Sequence, residues 1–122
     1  FGQSAGASAI AALLAMPAAR DLFSKTILQS GALRVAIPEQ AQPVGEAFLR
    51  ELGLTTGEFA KVRSLGIDQI IAAQTEVSKE SDGLGSFGPV LDGVSIPENP
   101  QDAVRNGSVA GISMIVGTIA TG

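Results

Sequence analysis

From Ala5 to Met16 the chain carries apolar or small residues on every side of a potential helix. Such a helix is buried all round rather than amphipathic. Ala7, Ser8, Ala9, Ala11 and Ala12 are small enough to let its backbone approach a sheet closely, and Pro17 disfavours helix at the residue before it. Pro17 to Lys25 reads as a short connection, with Leu22 and Phe23 as its expected anchors in the core. Thr26-Ile27-Leu28-Gln29, closed by Ser30-Gly31, predicts a short buried strand of a parallel sheet.

The pattern then changes. Ala32 to Gln42 reads as irregular. Pro43 suits a first helical turn, Val44, Ala47, Phe48 and Leu52 share one face, and Gly53 supplies a stop. Further helices are predicted from Gly57 to Ser64 and from Asp68 to Val77, the latter carrying Ile70, Ile71 and Ala73. Together they read as an insertion or cover packed beside the sheet. Glu76 to Ser86 is polar and glycine-containing, which predicts an exposed, mobile loop. Phe87 to Gly93 is turn-rich, Gln101 to Arg105 predicts one or two helical turns stopped by Asn106-Gly107, and Ile112 to Val116 predicts a strand ending at Gly117-Thr118. No repeat or domain boundary interrupts the pattern.

Composition narrows the function. The 122 residues suit one domain, and the net charge of −4 comes without a basic patch or aromatic ladder, which argues against a nucleic-acid partner. Cysteine is absent, so disulfides and thiolate metal sites are excluded. No apolar run reaches membrane-spanning length. Histidine is also absent, so any chemistry needing an imidazole base must take it from elsewhere. Without an initiating Met, and starting inside a motif, the chain reads as an internal piece of a larger protein; cytoplasmic and secreted locations both stay open.

That motif is Gly2-Gln3-Ser4-Ala5-Gly6, a G-x-S-x-G sequence directly before the alanine-rich run. A serine at a sharp strand-to-helix corner has its hydroxyl pushed out where a substrate reaches it. The flanking glycines, Gly2 and Gly6, are expected at a strained corner where a Cβ at either position would collide. Helix and following strand complete a βαβ arrangement.

Several segments, in order, resemble the type-B carboxylesterase family, the branch of the α/β-hydrolases that includes bacterial p-nitrobenzyl esterases and the cholinesterases. They are Phe1 to Ala7, Leu22 to Gly31, Phe87 to Gly93 with Pro97, and Ile115 to Thr118. The resemblance implies the α/β-hydrolase fold, with residues 1–122 as a partial domain: a central fragment of a mainly parallel sheet flanked by helices. It also implies hydrolysis of a small carboxylic ester through an acyl-enzyme, with no cofactor and no metal. Ser4 would be the nucleophile and the Ala5 backbone N–H an oxyanion donor. The base would be a downstream histidine, and the triad acid a Glu shortly after the Gly-Thr that ends the last strand. This chain contains neither: Gly117 to Gly122 holds no carboxylate.

Plainer readings stand beside these. Ser30 matches a family serine near the acid and could support it by a hydrogen bond, or it is a strand-end turn serine. Asp92, before Gly93, reads as a turn residue rather than a substitute acid. Glu76, Glu80 and Asp82 read as solvated loop charges. Two other classes compete with an esterase. A non-catalytic binding or adhesion protein on this scaffold typically lacks the nucleophile, whereas Ser4 is present. A lipase or serine peptidase could share the elbow, but the Gln29 to Gly31 and Phe87 to Gly93 matches argue against it.

Overall fold

A computed structural model of the protein describes residues 1–80 and 87–119, the side chain of Glu80 excepted. In chain order the elements are β1 (Gly2–Gln3), α1 (Ala5–Ala15), a 3-10 turn (Pro17–Ala19), β2 (Lys25–Gln29) and α2 (Pro38–Glu51). A 3-10 helix (Thr56–Ser64), α3 (Ile67–Glu80), α4 (Pro100–Arg105) and β3 (Ser113–Gly117) follow. The chain divides into two compact units, Phe1–Ile37 with Pro89–Gly122, and Pro38–Gly88. The second unit holds the three helical stretches that the pattern sets apart as an insertion or cover.

The first unit is built on a parallel sheet in the order β1-β2-β3. Helix α1 lies between two clusters, which explains its composition. Ala7, Ala11 and Leu14 pack with Leu28 of β2, joined by Phe23, Leu33 and Val109. Ala12 and Ala15 pack with Ile96 and Ala103, against Val35 and Leu91. Burial is not complete all round, however: Ala5, Ala9 and Leu13 form an exposed stripe at i, i+4 spacing.

Other expectations change. Leu22 is 78% exposed, so Phe23 and buried Ala19 anchor that connection. Strand β2 is covered on one face only, with Thr26 and Leu28 buried and Lys25, Ile27 and Gln29 exposed. Strand β3 is exposed at all five positions, Met114, Ile115 and Val116 included. The stretch 32–42 is not all irregular, because Ala36 pairs with Val90 through bonds from Ala36 N–H to Pro89 O (2.9 Å) and from Leu91 N–H to Ala36 O (2.8 Å).

Helix α4 starts at Asn99, whose Oδ1 accepts from the Gln101 N–H at 2.9 Å, with Pro100 buried in the first turn. It ends at Gly107, with φ of 92°, where Ser108 N–H reaches Ala103 O and Gly107 N–H reaches Val104 O. That pair of bonds is the Schellman arrangement.

In the second unit α2 and α3 pack together. Helix α2 begins at Pro38 rather than Pro43, which sits inside it. Proline fits a first helical turn, and Pro38 occupies that place; Pro43 removes only the bond that would return to Glu39. Ala47 and Leu49 are buried, and Phe48 meets Phe87 edge-to-face at 5.7 Å. The second helix is 3-10, opened by Thr55 N–H donating to Glu58 at 3.0 Å. In α3, Ala73 and Val77 turn inward while Ile71 is 54% exposed. The helix runs through Glu80, so Glu76 to Glu80 are helical where a loop was expected; the rest of that stretch, 81–86 with Asp82, lies outside the described residues.

Candidate active site

Ser4 stands between β1 and α1 with φ 51° and ψ −116°, a backbone conformation that few non-glycine residues adopt. Both sides of the corner hold it there. Its N–H donates to the Gln29 carbonyl at 2.9 Å, continuing the β1–β2 ladder by one step. Its carbonyl accepts from the Ser8 N–H at 3.0 Å, the first bond of α1. The main chain is thus committed on both sides and the residue is exposed. Ala5 opens α1, so its N–H belongs to the first turn, whose donors have no intrahelical partner.

The corner is tight on one side only. A Cβ on Gly2 would lie 2.4 Å from the Gly6 carbonyl carbon and 2.8 Å from the Ala7 nitrogen, so glycine is required there. A Cβ on Gly6 would meet nothing within 4 Å, which corrects the expectation of a collision at both glycines. Gly6 is on an exposed part of α1; it is the neighbour that Gly2 must clear. The second required glycine is Gly31, where a Cβ would lie 2.4 Å from the Ala7 Cβ and 2.9 Å from the Ser8 nitrogen.

Register sets the wider layout. Gln3 pairs with Gln29, and Gln29 with Gly117, so the residues that follow them, Ser4, Ser30 and Thr118, leave the three parallel strands at one level. This is the carboxyl end of the sheet, where open α/β sheets bind ligands. Ser30 has φ 52° and donates its N–H to the Gly117 carbonyl at 2.7 Å. A wide depression of about 490 Å³, lined by Arg20, Asp21, Leu22, Phe23 and Ile112, lies at the opposite, amino end of β2 and β3.

Asp92 closes a turn. One oxygen accepts from the Val94 and Ile96 N–H groups, each at 2.9 Å, and these bonds, Ile96 first, hold its carboxyl below the usual range. Glu76 forms a surface ion pair with Lys79 at 2.6 Å. Among the described residues no three His, Cys, Asp or Glu side chains come together as metal ligands. No helix among them is long and apolar enough to cross a membrane.

Comparison with known proteins decides the family, because the profile of the carboxylesterase family matches residues 1–121. The chain belongs to that family. It is 40% identical over 121 residues to the para-nitrobenzyl esterase of Bacillus subtilis (strain 168), covering 97% of this chain and 25% of that protein. A solved PNB esterase superimposes with a TM-score of 0.87 at 36% identity, covering 97% of this chain and 26% of that one. A carboxylesterase of Geobacillus stearothermophilus gives 0.81 at 32% identity, covering 97% and 25%. The chain therefore spans about a quarter of the length of these relatives and carries part of their α/β-hydrolase fold.

Sequence reasoning missed Gly31 and Ser8. Ser8 Oγ accepts from the Ala32 N–H at 3.0 Å across the gap between α1 and the turn after β2. The signal for Gly31 lay in its position after a strand that must pass the small first turn of α1.

Proposed function

We propose that the chain carries the nucleophile of a serine-dependent carboxylic-ester hydrolase. As the base takes the hydroxyl proton, Ser4 Oγ attacks the ester carbonyl carbon, and the oxyanion that forms receives a hydrogen bond from the Ala5 N–H at the positive end of α1. The C–O bond to the alcohol breaks, the alcohol leaves with a proton delivered by the base, and water then hydrolyses the acyl-serine. Ser30, level with Ser4 one strand away, supports the triad acid by a hydrogen bond. The acid and the histidine base come from outside this chain, whose sequence has no histidine.

The observation that carries this reading is the exposed Ser4 at φ 51°, held at a strand-to-helix corner that only glycine at position 2 permits. Membership of the carboxylesterase family supports the ester as substrate class. In the full-length protein, a fluorophosphonate probe is expected to label the chain stoichiometrically. Ser4→Ala should abolish labelling and lower kcat by about 10⁴-fold or more. Undiminished labelling of Ser4→Ala would refute the assignment. The chain of residues 1–122 alone is expected to show neither labelling nor esterase activity, since a serine hydroxyl without a base is a weak nucleophile.

A further inference from the structure

The turn after β2, from Gln29 to Ala32, is held at three points. The Ser4 N–H donates to the Gln29 carbonyl at 2.9 Å, and the Ser30 N–H donates to the Gly117 carbonyl at 2.7 Å. The Ala32 N–H donates to Ser8 Oγ at 3.0 Å, in a partly buried position. The first two bonds are main-chain and follow from sheet register. The third depends on one side chain.

Ser8 is bonded to both bodies that meet at the corner. Its N–H donates to the Ser4 carbonyl and its hydroxyl accepts from the turn. Between those bonds, Gly31 lies so close to Ala7 that no side chain fits. Nothing in α1 itself asks for a hydroxyl here: the helix is otherwise rich in alanine, and alanine is the better helix former.

We propose that Ser8 is a positioning residue for Ser4, holding the turn Gln29–Ala32 against the first turn of α1 so that the strained corner keeps one geometry. This rests on the reading of Ser4 as the nucleophile. Ser8 acts through the backbone of α1 and touches no reacting atom. Without the acceptor, the partly buried Ala32 N–H must turn toward water, since leaving it unpaired is unfavourable. The close contact of Gly31 with Ala7 passes that shift to the turn bearing Ser4. A displacement of about 1 Å at a reacting group lowers rate by up to 10²-fold.

The test uses the full-length protein with a short-chain p-nitrophenyl ester and a fluorophosphonate probe. Ser8→Ala should lower kcat and the labelling rate by roughly tenfold, with KM within about twofold of wild type. Ser8→Thr, which keeps the oxygen, should stay within about threefold of wild type, while Ser8→Val, of the same shape without it, should behave like Ser8→Ala. Equal rates for Thr and Val would overturn the proposal even if the alanine variant proved insoluble, because that pair isolates the oxygen. A rise in KM with kcat unchanged in Ser8→Ala would overturn it too. Full labelling of Ser4→Ala would instead refute the nucleophile on which it rests, so the two failures are distinguishable.

Discussion

At the scale of single residues, two glycines of one motif separate by what surrounds them. Gly2→Ala drives a Cβ into the backbone of Gly6 and Ala7. It should destabilise the full-length protein by roughly 1–3 kcal/mol, as thermal melting of the variant would show. Thr26 makes a second case: it is 6% exposed, and its hydroxyl has no hydrogen-bond partner among the described residues. Thr26→Val keeps the shape and removes the polar atom, so stability should rise by about 1 kcal/mol in chemical denaturation. Asp92 carries a pH signature. Its folded pKa is depressed by the Ile96 and Val94 N–H groups, so its contribution is full above the unfolded value of about 3.9 and is lost as pH falls through the folded one. Asp92→Asn retains an acceptor oxygen but cannot titrate, and should therefore flatten the acid limb of the stability curve.

At the scale of elements, the starts and stops were legible wherever a residue has a single conformational use. Gly53 ends α2 with φ 69°, where the Leu54 N–H reaches the Leu49 carbonyl at 2.8 Å. Gly53→Ala should cost about 1 kcal/mol for that reason, measurable as a shift in melting temperature. Pro17 likewise closed α1 as read. Pro43 misled because proline marks helix starts only statistically, and Pro38 competed for the same role five residues earlier. The outward side of Leu22 and Ile71 was illegible because apolar spacing says which residues can share a face, not which face a neighbour covers. Gly31 was hidden for a related reason: its need for glycine comes from Ala7, 24 residues away in sequence, and not from its own φ. The 3-10 helix 56–64 has an internal anchor in Glu58, whose carboxyl is held down to about 2 by the Lys61 ammonium first and by the Thr55 N–H and hydroxyl next. That contact is present above the usual carboxylate range and fails only in strong acid.

At the scale of the molecule, the candidate site was legible in outline because the motif and the strand following α1 both point to the carboxyl end of one sheet. What pattern could not convey is the level arrangement of Ser4, Ser30 and Thr118, which depends on strand register. The exposed apolar strand β3 has a consequence for handling: residues 1–122 expressed alone should self-associate through this edge, and Ile115→Lys should reduce that association in sedimentation. The corner at Ser4 has a different one. Its positive φ suits glycine better than serine, so Ser4→Gly should melt higher than wild type while being inert. On the proposed role of Ser4, a laboratory selection that rewards heat resistance alone would drift toward a variant without its nucleophile. Any programme to harden the protein must therefore screen for turnover at every round.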